Sequence, residues 1–354
     1  MTLPTEPIGS IPRPRALIEA AAALAAGRLD RADFERLGAE AVRDTVARFE
    51  ATGSPVITDG EQTKPSFATY PIHNLPNIEP GGITIPFADG HTRQLPRLTA
   101  GPFRYGTYAA TYLQAARSYA RVPLKQAVIS ASALSLLYPQ EPLPGYSRDA
   151  FLDDLVREAE TDICLALDAG AHCVQIDFTE ARLAIKLDPT LGVLRNFVEI
   201  NNRVLERVRK EDRRRIGVHT CPGGDCDSTH SADVDYAELL PTLFEMKATN
   251  FYVQLSSERD RRRVLGIIKA TLKPWQRVFV GVTDPIAPRI ESADEVRDRV
   301  LEAAEYIALR QLGTTDDCGF SPFGDDESTS RETAFEKIRA RIEGTTLASQ
   351  KLDV

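Results

Sequence analysis

The chain has 354 residues, 42% hydrophobic and 27% charged, with a formal net charge of -8. That balance excludes a disordered polyelectrolyte and suffices for one large core, and the acidic excess argues against a nucleic-acid partner. The opening MTLPTEPIGS lacks the basic start and apolar run of a secretory leader, and no apolar run approaches membrane-spanning length. Five cysteines are too few, and odd in number, for a disulfide framework. The expectation is a cytoplasmic protein with no membrane partner, whose thiols are free, metal-bound or nucleophilic.

Along the chain, a first strand is expected just before Gly9 and a second at Pro55 to Thr58 (PVIT). The segment from about Asn74 to Tyr108 is rich in Pro, Gly and Thr and reads as a β-hairpin excursion capping one end of the fold. Gln126 to Ser130 (QAVIS) is the third strand, and a helix from about Phe151 to Asp168 stops at Gly170. Strands follow at Cys173 to Asp177 (CVQID), Ile216 to His219 (IGVH), Phe251 to Leu255 (FYVQL), Val278 to Val282 (VFVGV) and Gln311 to Thr314 (QLGT). Asp235 with Glu238, and Ser292 with Glu295, mark helix starts ahead of apolar stripes. The basic run Arg259 to Arg263 reads as a solvated helix face. Apolar strands alternating with helices over eight units give an α/β fold, a single (β/α)8 TIM barrel spanning residues 1–354, with the tail after about Gly344 loosely held.

Polar residues follow the strands. They are Asp59-Gly60-Glu61, Asp177-Phe178-Thr179-Glu180, His219-Thr220-Cys221 through Cys226, Thr283-Asp284 and Asp316-Asp317-Cys318-Gly319. In a barrel these ends meet at the C-terminal mouth, where active sites of the fold lie. His219 and Cys221 are two apart, which puts both side chains on one side of a continuing strand, and imidazole with thiolate is a zinc-like donor set. Cys318 on the last strand can complete it, and three protein ligands leave a fourth position open, the pattern of a catalytic zinc. Cys164 and Cys173 read as core thiols and His172 as structural. His230 reads as a loop hydrogen-bonder, and His73 and His91 have no evident partner.

Together these residues resemble the catalytic domain of the cobalamin-independent methionine synthase family. The resemblance rests on Ile8-Gly9-Ser10, Asp59-Gly60-Glu61, Gln175-Ile176-Asp177, His219-x-Cys221, Gly281-Val282-x-Asp284 with Pro288-Arg289, and Asp317-Cys318-Gly319. It implies methionine biosynthesis by methyl or alkyl transfer to a homocysteine-like thiol, activated as a thiolate on zinc held by His219, Cys221 and Cys318. Glu61 and Asp177 would hold the ammonium group of the thiol, and Ser10 with the backbone near Ile8 its carboxylate. A zinc-bound thiol loses its proton, which makes it nucleophilic at neutral pH.

Three departures stand out. Gln254 occupies the place of a further glutamate ligand, with Cys226 and Glu258 as substitutes. Glu180 enters the pocket wall as an added polar contact. The chain is too short for the extra N-terminal half of folate-dependent members, which weighs against a folate polyglutamate donor and leaves a methylated corrinoid protein or another alkyl donor open. The alternative is an epoxide-to-thiol transferase acting on a sulfonated, coenzyme M-like thiol, for which Arg13, Lys64 and Arg182 are candidate cations. A metal-free decarboxylase and a zinc hydrolase, with Glu61 or Asp177 as base, are more distant readings.

Overall fold

The structure is a computed structural model in which residues 2–354 are described. Two helices, α1 (Arg15–Ala25) and α2 (Arg31–Ala51), precede the excursion. There β1 (Ile78–Glu79) pairs antiparallel with β4 (Arg97–Leu98), enclosing the hairpin of β2 (Thr84–Pro86) and β3 (Thr92–Gln94). Next come α3 (Ala110–Arg117), β5 (Gln126–Ile129), α4 (Ala131–Leu134), α5 (Arg148–Asp168), β6 (Val174–Asp177), α6 (Glu180–Leu187), α7 (Gly192–Arg207) and β7 (Ile216–Thr220). A small hairpin, β8 (Gly224–Asp225) with β9 (Ser228–Thr229), leads to α8 (Tyr236–Leu243), β10 (Asn250–Val253), α9 (Arg261–Thr271) and β11 (Arg277–Thr283). The chain ends in α10 (Ala293–Ala304), β12 (Leu312–Asp316) and α11 (Arg331–Lys351).

Strands β5, β6, β7, β10, β11 and β12 form one parallel sheet in chain order, as the alternation of strands and helices predicts. Every residue of β5, β6, β7, β10 and β12 is buried, so these strands need no polar alternation. The two strands expected first contribute single parallel bridges, Thr5 to Thr314 and Ile57 to Leu124. Pro4, Pro7 and Pro55 lie in these runs and lack the N–H a longer ladder needs. The two runs are joined by Ile11 N donating to Gly60 O at 3.0 Å and Thr58 Oγ1 to Gly9 O at 2.7 Å, which closes the ring of eight.

The barrel interior is filled in part by Ile8 and the stacked rings of Tyr252 and Phe279, with centroids 4.7 Å apart. Beside them lies a buried polar group. The Tyr252 hydroxyl donates to Glu6 Oε2 at 2.5 Å, and Lys125 Nζ lies 3.4 Å from the same oxygen and 3.3 Å from the Tyr252 ring centre. Burial opposes charge on the Glu6 carboxyl, but Lys125, His172 and Tyr252 together outweigh it and lower its pKa to about 2.

Helix starts follow their capping residues. The side chains of Ser147, Asp235, Ser292 and Ser330 each accept from a backbone N–H in the first turn of α5, α8, α10 and α11. Ser147 thus starts α5 three residues before the expected Phe151. The tail needs a larger correction: α11 continues through Gly344 to Lys351, with Thr345, Ala348 and Ser349 buried. Gly344 is not a stop signal but a close-packing site, since a Cβ there would lie 2.4 Å from Val296 of α10. The basic run opens α9, where Arg261 and Arg262 pair with Glu302 and Arg263 with Asp235. Among the described residues no helix is long and apolar enough to cross a membrane.

Candidate metal centre and thiol pocket

The register of the sheet builds the site. Asp177, the last residue of β6, stands opposite His219 on β7. Asp177 Oδ1 lies 3.2 Å from His219 Nδ1 and accepts from Gln175 Nε2 at 2.7 Å. β7 ends one residue short of Cys221, and Cys318 follows β12 from across the mouth. The ligand atoms of His219, Cys221 and Cys318 all fall within 4.8 Å of one another, and the two sulfurs are 3.1 Å apart as free thiols.

These residues fit a metal. His219 Nε2 is buried and makes no hydrogen bond among the described residues, while its other ring nitrogen faces a carboxylate, the arrangement that orients metal-bound histidines. Burial opposes charge on the ring, but Asp177 and Cys318 outweigh it and raise the pKa of His219 to about 9. An ion at Nε2 would displace that proton. One imidazole and two thiols are a zinc-type set, and the three ligands leave room for substrate.

The loop carrying Cys318 is held from below. Asp317 Oδ1 accepts from Leu255 N and Ser256 N at 2.9 and 2.8 Å, and its Oδ2 accepts from Ser257 N and Ser257 Oγ, both at 2.7 Å. Gly281 makes this possible, because a Cβ there would lie 1.8 Å from Asp317 Oδ1. The two short motifs around Gly281 and Asp317 are therefore halves of one contact.

A cavity of about 980 Å³ opens above the triad, lined by His219 and Cys318 together with Ile8, Ser10, Glu61, Asp177 and Glu180. Cys221 adjoins it through Cys318. Glu61 has a left-handed backbone, φ 56°, held by Asp59 Oδ1 accepting from Glu61 N at 3.0 Å. Glu61 Oε1 accepts from Lys64 Nζ at 2.8 Å, and Lys64 also donates to Ala127 O at 2.9 Å. Burial alone would lower the Lys64 pKa, but Glu61 and Asp59 raise it. Glu180 Oε1 accepts from the hydroxyls of Ser130 and Ser132, while Oε2 is buried without a partner among the described residues. Desolvation outweighs those hydroxyls and raises the Glu180 pKa to about 7.

Gln254 is not part of the cavity wall. It is buried, and its amide donates to Ser257 Oγ at 2.8 Å and Glu258 Oε1 at 3.2 Å. Glu258 pairs with Arg182 at 2.9 Å, and Cys226 is exposed beside Asp225, so neither joins the triad. His230 lines the cavity and bonds Ser231 Oγ at 2.8 Å, in keeping with a loop role. His91 does have partners, Asp89 and Asp225.

Sequence reading missed a clamp. Arg93 of β3 bonds both Asp225 of β8 and Asp325 in the loop beyond Cys318, and its guanidinium lies 4.4 Å from the Phe323 ring centre. This docks the excursion on the mouth. No local pattern signals a pairing across more than a hundred residues.

Residues 147–337 match the family described as the catalytic domain of cobalamin-independent synthase. The chain belongs to this family. Among members, the methionine synthase of Sulfolobus acidocaldarius is 24% identical over 99% of this chain and 93% of its own length. The 5-methyltetrahydropteroyltriglutamate–homocysteine methyltransferase of Mycolicibacterium paratuberculosis is 24% identical over 92% of this chain, which spans only 41% of that protein. The structure of a B12-independent methionine synthase from Shewanella sp. W3-18-1, in complex with selenomethionine, superposes with a TM-score of 0.79 at 19% identity, covering 99% of both chains. That likeness places the parallel sheet and its helices in the barrel fold of the cobalamin-independent synthase family.

Proposed function

We propose that this member of the family transfers a methyl or other alkyl group to the sulfur of a homocysteine-like thiol at a zinc held by His219, Cys221 and Cys318. The observation that carries this reading is the convergence of one imidazole and two free thiols at the base of a cavity whose wall also holds Glu61 and Asp177. A zinc ion there would supply the Lewis acidity that removes the proton from a coordinating thiol.

The chain's own groups do the rest. Asp177 orients His219 through Nδ1, and Glu61 and Asp177 present two carboxyls against one lysine, an excess that suits an ammonium group. Ser10 also lines the cavity, its hydroxyl oxygen accepting from Ser321 N at 3.2 Å, and we assign it to the substrate carboxylate. Fixing sulfur and electrophile in one pocket can lower the barrier by roughly 7–11 kcal/mol. Methionine synthase is the name carried by the relatives of similar length, which supports homocysteine as acceptor.

The sulfonated-thiol alternative needs free cations, and the three expected to serve it are engaged. Arg13 donates to the carbonyls of Glu61, Lys64, Ser321 and Phe323, Arg182 is off the cavity wall, and Lys64 is paired with Glu61. Titration of zinc-loaded protein with homocysteine at neutral pH is the test. Release of about one proton per site is expected. No proton release with homocysteine, but release with a sulfonated thiol, would move the acceptor to the second class, and silence with both would end the thiol reading.

A further inference from the structure

The two carboxyls assigned to the amino group each have one oxygen committed and one free. Asp177 Oδ1 is shared between Gln175 and His219, and Glu61 Oε1 accepts from Lys64. Asp177 Oδ2 and Glu61 Oε2 make no hydrogen bond among the described residues, and both side chains line the cavity.

The seat of Glu61 is built into the backbone. Lys64 N donates to Glu61 O at 3.2 Å, closing a turn, and Arg13 Nη2 donates to the carbonyl oxygens of Glu61 and Lys64 at 2.7 and 3.1 Å. This turn, entered through the left-handed backbone of Glu61, brings Lys64 Nζ to Glu61 Oε1. Lys64 is itself enclosed. Its side chain is buried, Nζ donates also to Ala127 O of β5, and the ring centres of Tyr70 and Tyr112 lie 4.6 and 5.8 Å away. Tyr70, from the turn Tyr70–Ile72, is anchored by its hydroxyl donating to Asp162 of α5, and Tyr112 stands on α3. Two oxygens and two ring faces thus surround the lysine's charge. Burial, with Asp177 and Asp59, raises the Glu61 pKa, and Lys64 is the group that opposes them.

We infer that Lys64 is a positioning residue for the amino group of the thiol substrate: it holds the Glu61 carboxylate by Oε1, so that Oε2, together with Asp177, meets the amino group. The lysine does not itself bind substrate. This rests on the thiol-transfer reading for the substrate, whereas the turn, the ion pair and the enclosure of Lys64 stand on the structure alone. Without Lys64, Glu61 would take up a proton or leave its buried seat, and the amino group would lose one of its two anionic partners.

The test measures binding of homocysteine and of 4-sulfanylbutanoate, the same thiol without its amino group, by proton release from the zinc-loaded full chain at neutral pH. The parent is expected to prefer homocysteine. Lys64→Met should reduce that preference at least about tenfold, the usual loss when a hydrogen bond to a charged group goes. Both thiols carry a carboxylate, so a lysine that bound this carboxylate, or a substitution that only loosened the pocket, would weaken both alike. Because Lys64→Met leaves a buried carboxylate uncompensated, the double variant Lys64→Met/Glu61→Gln guards against a folding defect. Its preference should match that of Glu61→Gln alone, since the lysine acts through Glu61. No preference in the parent, an unchanged preference in Lys64→Met, or a loss in Glu61→Gln that deepens in the double variant would overturn the inference with thiol activation intact. A parent that releases a proton with neither thiol would overturn both.

Discussion

Glu180 is a carboxyl whose environment decides its charge. Its pKa is raised from 4.5 to about 7, chiefly by desolvation. A carboxyl with a raised folded-state pKa binds more protons folded than unfolded between those two values, so its burial costs stability as pH climbs through that window. Glutamine keeps the shape and can still accept from Ser130 and Ser132. The stability gained by Glu180→Gln over the parent should therefore be small near pH 4.5 and grow to on the order of 3 kcal/mol by pH 8. Urea unfolding at the two pH values checks this, and an equal difference at both would show that Glu180 does not titrate in that range. At this scale the sequence was informative where chemistry is carried by residue type. The clustering of His219, Cys221 and Cys318 was legible because a barrel brings their strand ends to one mouth. The isolation of Gln254 from the cavity was not, because which way a side chain turns after a strand depends on partners such as Ser257 and Glu258.

Between elements, the Cys318 loop is positioned by a contact that neither motif explains alone. Asp317 gathers the N–H groups of residues 255–257, and Gly281 of β11 leaves the space for it. Gly281→Ala should displace the Asp317 carboxylate and, with it, the neighbouring cysteine. We expect about 10- to 100-fold weaker zinc binding, the usual cost of losing a supporting contact around a metal ligand, measured by competition with a chromogenic chelator. Unchanged affinity would mean that the loop holds Cys318 without Asp317. The hairpin excursion shows the same division between local and distant information. Its composition marked it as β-structure outside the barrel rhythm, but its seat on the mouth depends on Arg93 reaching Asp225 and Asp325, a long-range match invisible to local pattern.

For the whole molecule, strand order and the ring of eight followed from alternation, whereas the way the first two runs join that ring did not. The first two runs pair through single bridges, and buried polar contacts hold the N-terminal run in place. Glu6 is held by Lys125 and Tyr252 inside the barrel, and Lys125 also donates to Pro7 O at 2.9 Å. Lys125→Met removes the cation and leaves a buried carboxylate, which should cost about 3–5 kcal/mol in chemical unfolding at neutral pH. Adding Glu6→Gln should recover a large part of that loss. A double variant as unstable as the single one would show that the ion pair is not what fixes the strand. A closed barrel matters because it brings Cys221 and Cys318, 97 positions apart, to one point.

Zinc at this point is what the proposed chemistry requires. Metal content of the purified parent protein, of Cys221→Ser and of Cys318→Ser, each checked for native circular dichroism, tests it most directly. About one zinc per parent chain and near-complete loss in both folded variants are expected. Full zinc retained in either variant, or a parent that binds none when zinc is supplied, would contradict it.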